Sequence, residues 1–204
     1  MTTLFLLSLL VLCVPLTAFA QDDVGHWYLN PYFGGVTPDK PWQAKGSAAL
    51  YGFDIGTNFS PTWSAELDLN AAPLRDRVGS GHTGLYGGAL DLLRVFNRGG
   101  VFAPYLSVGA GVTHAAFPSE TELGSRTEFM WQPAFGTLIK VWESTDDSRS
   151  LTLRPEIKAR LTHGWAHAPG NPVDVLYVLG LTYSFGPGKA AATAANASGS
   201  NNCG

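Results

Sequence analysis

Between residues 175 and 185 the chain reads VLYVLGLTYSF, and the side chains alternate without a break. Val175, Tyr177, Leu179, Leu181, Tyr183 and Phe185 fall on one face, and Leu176, Val178, Gly180, Thr182 and Ser184 on the other. A period of two is the signature of a strand with two unlike faces, and no helix presents it. The same period recurs along the chain between clusters of turn-forming residues, which predicts an all-β fold of about eight strands. These lie near 26–34, 49–59, 62–71, 82–96, 101–114, 128–142, 150–162 and 175–185.

The two faces differ in an unusual way. One is large and apolar: Tyr51, Phe53, Ile55 and Phe59; Trp63, Leu67 and Leu69; Leu151, Leu153, Ile157 and Leu161. The other mixes Gly, Ala and Ser with isolated charges and lacks the even cover of Lys and Glu expected of a strand facing water. A sandwich in water would bury the first face and wet the second. The interior of a narrow closed barrel accounts for the second face better, because eight strands enclose only enough space for side chains to fill. Nine charged residues fall in this inward set: Asp54, Glu66, Asp68, Asp91 and Glu156 against Lys140, Arg154, Lys158 and Arg160. Charges shut away from water must be paired. The expectation is therefore a lumen network in which Arg154, Lys158 and Arg160 of the seventh strand neutralise carboxylates on strands two, three and four, with the lumen plugged.

The connections alternate too. Ser60-Pro61, NRGG at 97–100 and ESTDDSRS at 143–150 are short, whereas 35–48, 71–81, 115–127 and 163–172 are longer and more polar. Short turns at one end and long loops at the other are the layout of an up-and-down barrel in an outer membrane. An even strand count then leaves both termini on the periplasmic, short-turn side. Trp27, Trp63, Tyr86, Phe129, Trp131, Tyr177, Tyr183 and Phe185 lie near strand ends, where aromatic girdles meet the membrane surface.

Residues 1–20 read as a secretory signal, with LFLLSLLVLCVPL as its apolar core and Ala18-Phe19-Ala20 as the cleavage site, although no Lys or Arg precedes the core. Cys13 lies inside that signal and follows Leu12, which does not suit a lipid anchor. Only Cys203 then remains, so no internal disulfide forms. Thirteen Lys and Arg against sixteen Asp and Glu give a formal net charge of −3, which leaves no electrostatic footprint for nucleic acid. The barrel is expected over 21–186, followed by a flexible tail over 187–204.

With FAPYLSVGAGV at 102–112 and LGLTYSFG at 179–186, residues 26–186 resemble the OmpA-type and related small outer-membrane β-barrels of Gram-negative bacteria. The resemblance implies an eight-stranded antiparallel up-and-down transmembrane barrel in the outer membrane, lying among its lipids and lipopolysaccharide. It also implies a final aromatic strand, Tyr183 and Phe185, read by the barrel assembly machinery. Relatives of OmpA type often continue into a peptidoglycan-binding domain; after Phe185 only GPGKAAATAANASGSNNCG follows here, so the expectation is either that this domain is absent or that the sequence is a fragment, and peptidoglycan binding is not carried over. The leading functional expectation is a structural, envelope-stabilising barrel with surface-exposed loops. The alternatives are a narrow porin-like channel and a lipid A-modifying enzyme. RLTHGWAHAPGNP at 160–172 loosely resembles the lipid A deacylase barrels, but Trp165 stands where their serine would be, two residues after His163. His82, His114, His163 and His167 lack metal-ligand spacing and read as polar rim residues, so neither metal nor cofactor is expected.

Phe185 is expected to be needed for membrane assembly and the tail dispensable. Deleting 187–204 should leave the amount of protein in outer-membrane fractions nearly unchanged, whereas Phe185→Asp should leave it in the periplasm or degraded. Normal assembly of the Asp variant would show that the barrel ends elsewhere.

Overall fold

A computed structural model of the chain describes residues 24–39, 46–75, 82–117, 125–163 and 172–187. The signal reading over 1–20, most of the tail, His167 and both cysteines lie outside these residues. The strands are β1 (Trp27–Thr37), β2 (Ala48–Asn58), β3 (Trp63–Arg75), β4 (His82–Val95), β5 (Phe102–Ala116), β6 (Arg126–Glu143), β7 (Arg149–His163) and β8 (Val173–Phe185). Each pairs with its chain neighbours, and β1 pairs with β8, so the sheet closes into an eight-stranded barrel, antiparallel throughout. Closure leaves no sheet edge and gives the backbone groups their partners within the wall, the condition for spanning a bilayer.

The alternation sets the register. Leu67 faces Leu90 across β3 and β4, and Leu106 faces Phe135 across β5 and β6, on the outside of the wall. Asp54 faces Asp68, and Glu66 faces Asp91, on the inside. Burial is inverted relative to a protein that folds in water: Leu90 is 71 % exposed and Phe33 62 %, whereas Arg160 is fully buried and Arg154 nearly so. An apolar outer wall of this kind calls for lipid.

Most of the strands run past their sequence-based ends on the long-connection side. β1 continues to Thr37, β3 to Arg75 and β5 to Ala116, while β6 begins at Arg126 and β8 at Val173. There the outward positions turn to residues such as Pro73, Arg75 and Thr127, so the hydrophobic alternation fades while the ladder goes on. Between Lys140 and Trp142 the β6–β7 register shifts, and Val141 and Trp142 are both exposed. A bulge of this kind puts two successive residues against one partner position.

Inside, tyrosines lie over cross-strand glycines. Tyr32 pairs with Gly52 and Tyr28 with Gly56. A Cβ built on Gly52 would run into the Tyr32 ring, so the glycine makes room for an aromatic ring in a lumen with little width to spare. The ring in turn delivers its hydroxyl to Asp68 Oδ1 at 2.6 Å. At the seam Trp27 pairs with Phe185, and beyond it His26 Nε2 lies 3.1 Å from the carbonyl of Pro187.

Gly52→Val is expected to displace Tyr32 and cost about 1–3 kcal/mol, the usual range for overpacking. Urea unfolding from lipid vesicles measures it, and an unchanged midpoint would show that the ring does not depend on the gap.

Candidate functional site

Among the described residues, charge is concentrated and buried in the barrel interior. Period two places Arg154, Glu156, Lys158 and Arg160 of β7 on successive inward positions, and all are buried. Arg154 is the hub. Its Nη1 and Nη2 each donate to one oxygen of Glu66 at 2.8 Å, the two-pronged geometry that suits a guanidinium and a carboxylate. Nη2 also reaches Glu156 Oε2 at 2.9 Å, Nε donates to the Tyr105 hydroxyl at 2.7 Å, and Asp54 Oδ2 lies 3.5 Å from Nη1. The Tyr105 hydroxyl donates to Glu156.

Lys158 forms the second centre. Its ammonium sits 2.9 Å from Asp68 Oδ2, 3.0 Å from Glu156 Oε1 and 4.0 Å from Asp91 Oδ2. Glu156 therefore bridges both cations. Neutral donors reach the carboxylates as well: Tyr28 to Glu66 at 2.9 Å, Asn30 to Asp54 Oδ2 at 2.7 Å, and Gln132 to Asp68 at 3.0 Å and to Asp91 at 2.8 Å, while Asp54 Oδ1 has no hydrogen-bond partner among the described residues. Thr182 of β8 donates to Asn30. Counting strand by strand, the connected groups come from all eight strands.

Two sequence-based placements differ. Lys140 faces inward but near the short-turn mouth, where its ammonium pairs with Glu143 at 2.7 Å on partly exposed side chains. In register it sits opposite Thr152, one inward position below Arg154, and the bulge that follows brings Glu143 to it. Among the described residues Arg160 forms no ion pair, although Asp174 of β8 is its cross-strand partner: Nη2 donates to Asn70 at 2.6 Å, while Nε and Nη1 have no hydrogen-bond partner among them. The other seven inward charges are brought together.

Apolar layers lie on both sides of the ionic one. Towards the long connections, Val36, Leu50, Leu74, Leu85 and Leu176 form a packed cluster. Towards the short turns, Leu93, Val95, Ala103 and Tyr105 form a second, with Leu138 against it. Below that cluster, Arg98 of the β4–β5 turn folds into the mouth, donating to Ser64 Oγ at 2.6 Å and to the Pro61 carbonyl at 3.1 Å. A cavity of about 40 Å³ there, bordered by Asn58, Arg98, Lys140, Thr152 and Ser184, has room for little beyond water.

Sequence reasoning missed the neutral members. Tyr28, Asn30, Tyr32 and Asn70 carried no charge to flag them, although their inward phase was readable. Arg98 read only as part of a turn. Of the histidines, His114 Nδ1 lies 2.8 Å from Thr127 Oγ1, and His163 is exposed opposite Phe129. Among the described residues no cluster of three or more His, Cys, Asp or Glu is arranged to hold a metal ion.

A closed eight-stranded wall, apolar outside and ionic within, meets a family description at this point: residues 4–185 match the outer membrane protein beta-barrel domain. The chain belongs to that outer-membrane barrel family. Among solved structures, it is similar to Neisserial surface protein A (12 % identity, TM-score 0.61, covering 78 % of this chain and 96 % of the other). It is also similar to Ail, the attachment invasion locus protein of Yersinia pestis (13 % identity, TM-score 0.53, covering 79 % and 99 %). At these identities the likeness is one of fold. No curated protein matches the chain. The family and the inverted wall place this barrel in the Gram-negative outer membrane, in contact with its lipids.

Arg154→Glu is expected to lower stability by about 3–5 kcal/mol, since it leaves Glu66, Glu156 and Asp54 facing a further carboxylate. Lys140→Gln should cost under about 1 kcal/mol, because its pair with Glu143 is partly in water. Urea unfolding in lipid vesicles compares them, and equal losses would contradict the division between the buried network and the mouth.

Proposed function

We propose that the protein is a structural barrel of the outer membrane, closed to solutes, that braces the envelope and presents its long connections outward. The layered lumen carries this reading. An ion-paired layer joined to all eight strands lies between two apolar clusters, and Arg98 folds across the short-turn mouth. Ions crossing such an interior would have to break buried pairs and pass packed apolar side chains, each expensive.

The same reading assigns 1–20 to an export signal, 21–186 to the barrel and 187–204 to a periplasmic tail. Tyr183 and Phe185 stack on the outer wall at the end of β8, with ring centroids 6.0 Å apart, an exposed aromatic terminus suited to recognition by the assembly machinery. Lipopolysaccharide is the expected neighbour of the outer half. No catalytic role is proposed. A deacylase needs serine, histidine and carboxylate together, and His163 faces outward with Trp165 in the serine's place. The narrow channel is the second reading, supported by the small polar cavity at the short-turn mouth.

Purified, refolded mature protein should be silent in planar bilayers. Discrete, reproducible conductance steps from heat-modifiable, folded protein would overturn the closed-barrel reading in favour of the channel.

A further inference from the structure

The short-turn mouth reverses the charge balance of the layer above it. In the ionic layer Asp54, Glu66, Asp68, Asp91 and Glu156 gather around two cations, Arg154 and Lys158. The mouth cavity is bordered by two cations, Arg98 and Lys140, and by no acidic side chain. Its remaining polar border is Asn58, Ser150, Thr152 and Ser184. Register brings these groups together: Ser150 faces Ser184 across β7 and β8, and Thr152 faces Lys140 across β6 and β7.

The border is rich in donors that nothing else uses. Among the described residues the hydroxyls of Ser150, Thr152 and Ser184 have no hydrogen-bond partner. Asn58 accepts from Ser64 through Oδ1 at 2.8 Å, which leaves its Nδ2 hydrogens to donate elsewhere. Arg98 is fixed in advance, because its contacts with Ser64 Oγ and the Pro61 carbonyl hold the guanidinium in the mouth. Lys140 pairs with Glu143, but on side chains 24 % and 33 % exposed, where water weakens the attraction. Ala103 and Leu138 border the cavity on its inner side and belong to the apolar layer beneath the ionic one. A floor without polar groups lowers the local dielectric and strengthens any charge interaction above it. Two cations oppose a metal ion here, and about 40 Å³ admits a few waters or one small ion.

We propose that the short-turn mouth holds one small monovalent anion, of chloride's size and charge, between Lys140 and Arg98 and among the hydroxyls of Ser150, Thr152 and Ser184. Charge-assisted hydrogen bonds to such an ion tie the ends of β6, β7 and β8 to the β4–β5 turn. The ion enters and leaves on one side, since the apolar layer separates the pocket from the Arg154 centre. The site goes beyond the closed-barrel reading, and conductance does not decide it: the ion is bound whether or not current crosses the barrel.

The test is urea unfolding of the mature protein folded in phosphatidylcholine vesicles, in sodium chloride and in sodium gluconate at equal ionic strength. Gluconate is too bulky for the cavity. An ion bound only by the folded barrel multiplies the folding equilibrium constant by one plus the ratio of ion concentration to Kd, so chloride at about three times Kd should raise it about fourfold. Lys140→Gln/Thr152→Val should reduce the rise to under about 1.5-fold. Glu143→Gln removes the competing partner of Lys140 and should enlarge it. Arg149→Gln, exposed at the same end but outside the cavity border, should keep it. No rise in the wild type, an undiminished rise in the double variant, a rise in Glu143→Gln no larger than in the wild type, or its loss in Arg149→Gln would each overturn the proposal. Heat-dependent gel mobility checks folding. If the double variant does not fold, Lys140→Gln is measured alone, and an undiminished rise there is the overturning result.

Discussion

The two-pronged pair between Arg154 and Glu66 is the interaction on which the interior is organised. In water a buried ion pair is weak evidence of stability, since apolar replacements of similar shape often do as well. A barrel in a bilayer changes the comparison. Its outside is already apolar, so the polar side chains of each strand have only the lumen in which to meet partners. Once Arg154 is there, Glu66, Glu156 and Asp54 gather around it, Tyr105 and Tyr28 fill the remaining hydrogen-bonding directions, and Lys158 extends the pattern to Asp68 and Asp91.

Width explains what surrounds that pair. Two long cations and five carboxylates leave little space in an eight-stranded lumen, and the tyrosines that satisfy the carboxylates need gaps opposite them. Gly52 and Gly56 supply two such gaps. Residues away from the ionic layer face no such demand for pairing, and there Val36, Leu50, Leu74, Leu85 and Leu176 close one side while Leu93, Val95 and Ala103 close the other. The result is a lumen packed in layers of unlike polarity.

Much of this was legible because period two assigns each residue to a face without knowledge of its neighbours. The strand count, the closed antiparallel order, the outward aromatics and the inward phase of Arg154, Lys158 and their carboxylates all follow from it. The partner of each charge does not, because that depends on register across strands far apart in the chain. Arg160 illustrates the limit: it shares the phase of Arg154 but donates to Asn70 of β3 rather than to a carboxylate. Lys140 is another case, where a bulge one residue later brings Glu143 within reach. Arg98 was hidden for a different reason, since residues in a turn have no alternating face to betray an inward side chain.

The network also supplies something that stability alone would not require. A slip of one residue in the pairing of β7 would turn Arg154, Glu156, Lys158 and Arg160 from the lumen to the lipid and bring Leu153, Ile157 and Leu161 inside. A cation on the lipid face near the membrane midplane costs about 2–4 kcal/mol, and the carboxylates left in the lumen would lose their partners as well. The apolar residues cannot impose this penalty so sharply, because a leucine is tolerated on either side of the wall. The buried ions therefore act as a register lock, and their price in desolvation is offset by the exclusion of neighbouring registers.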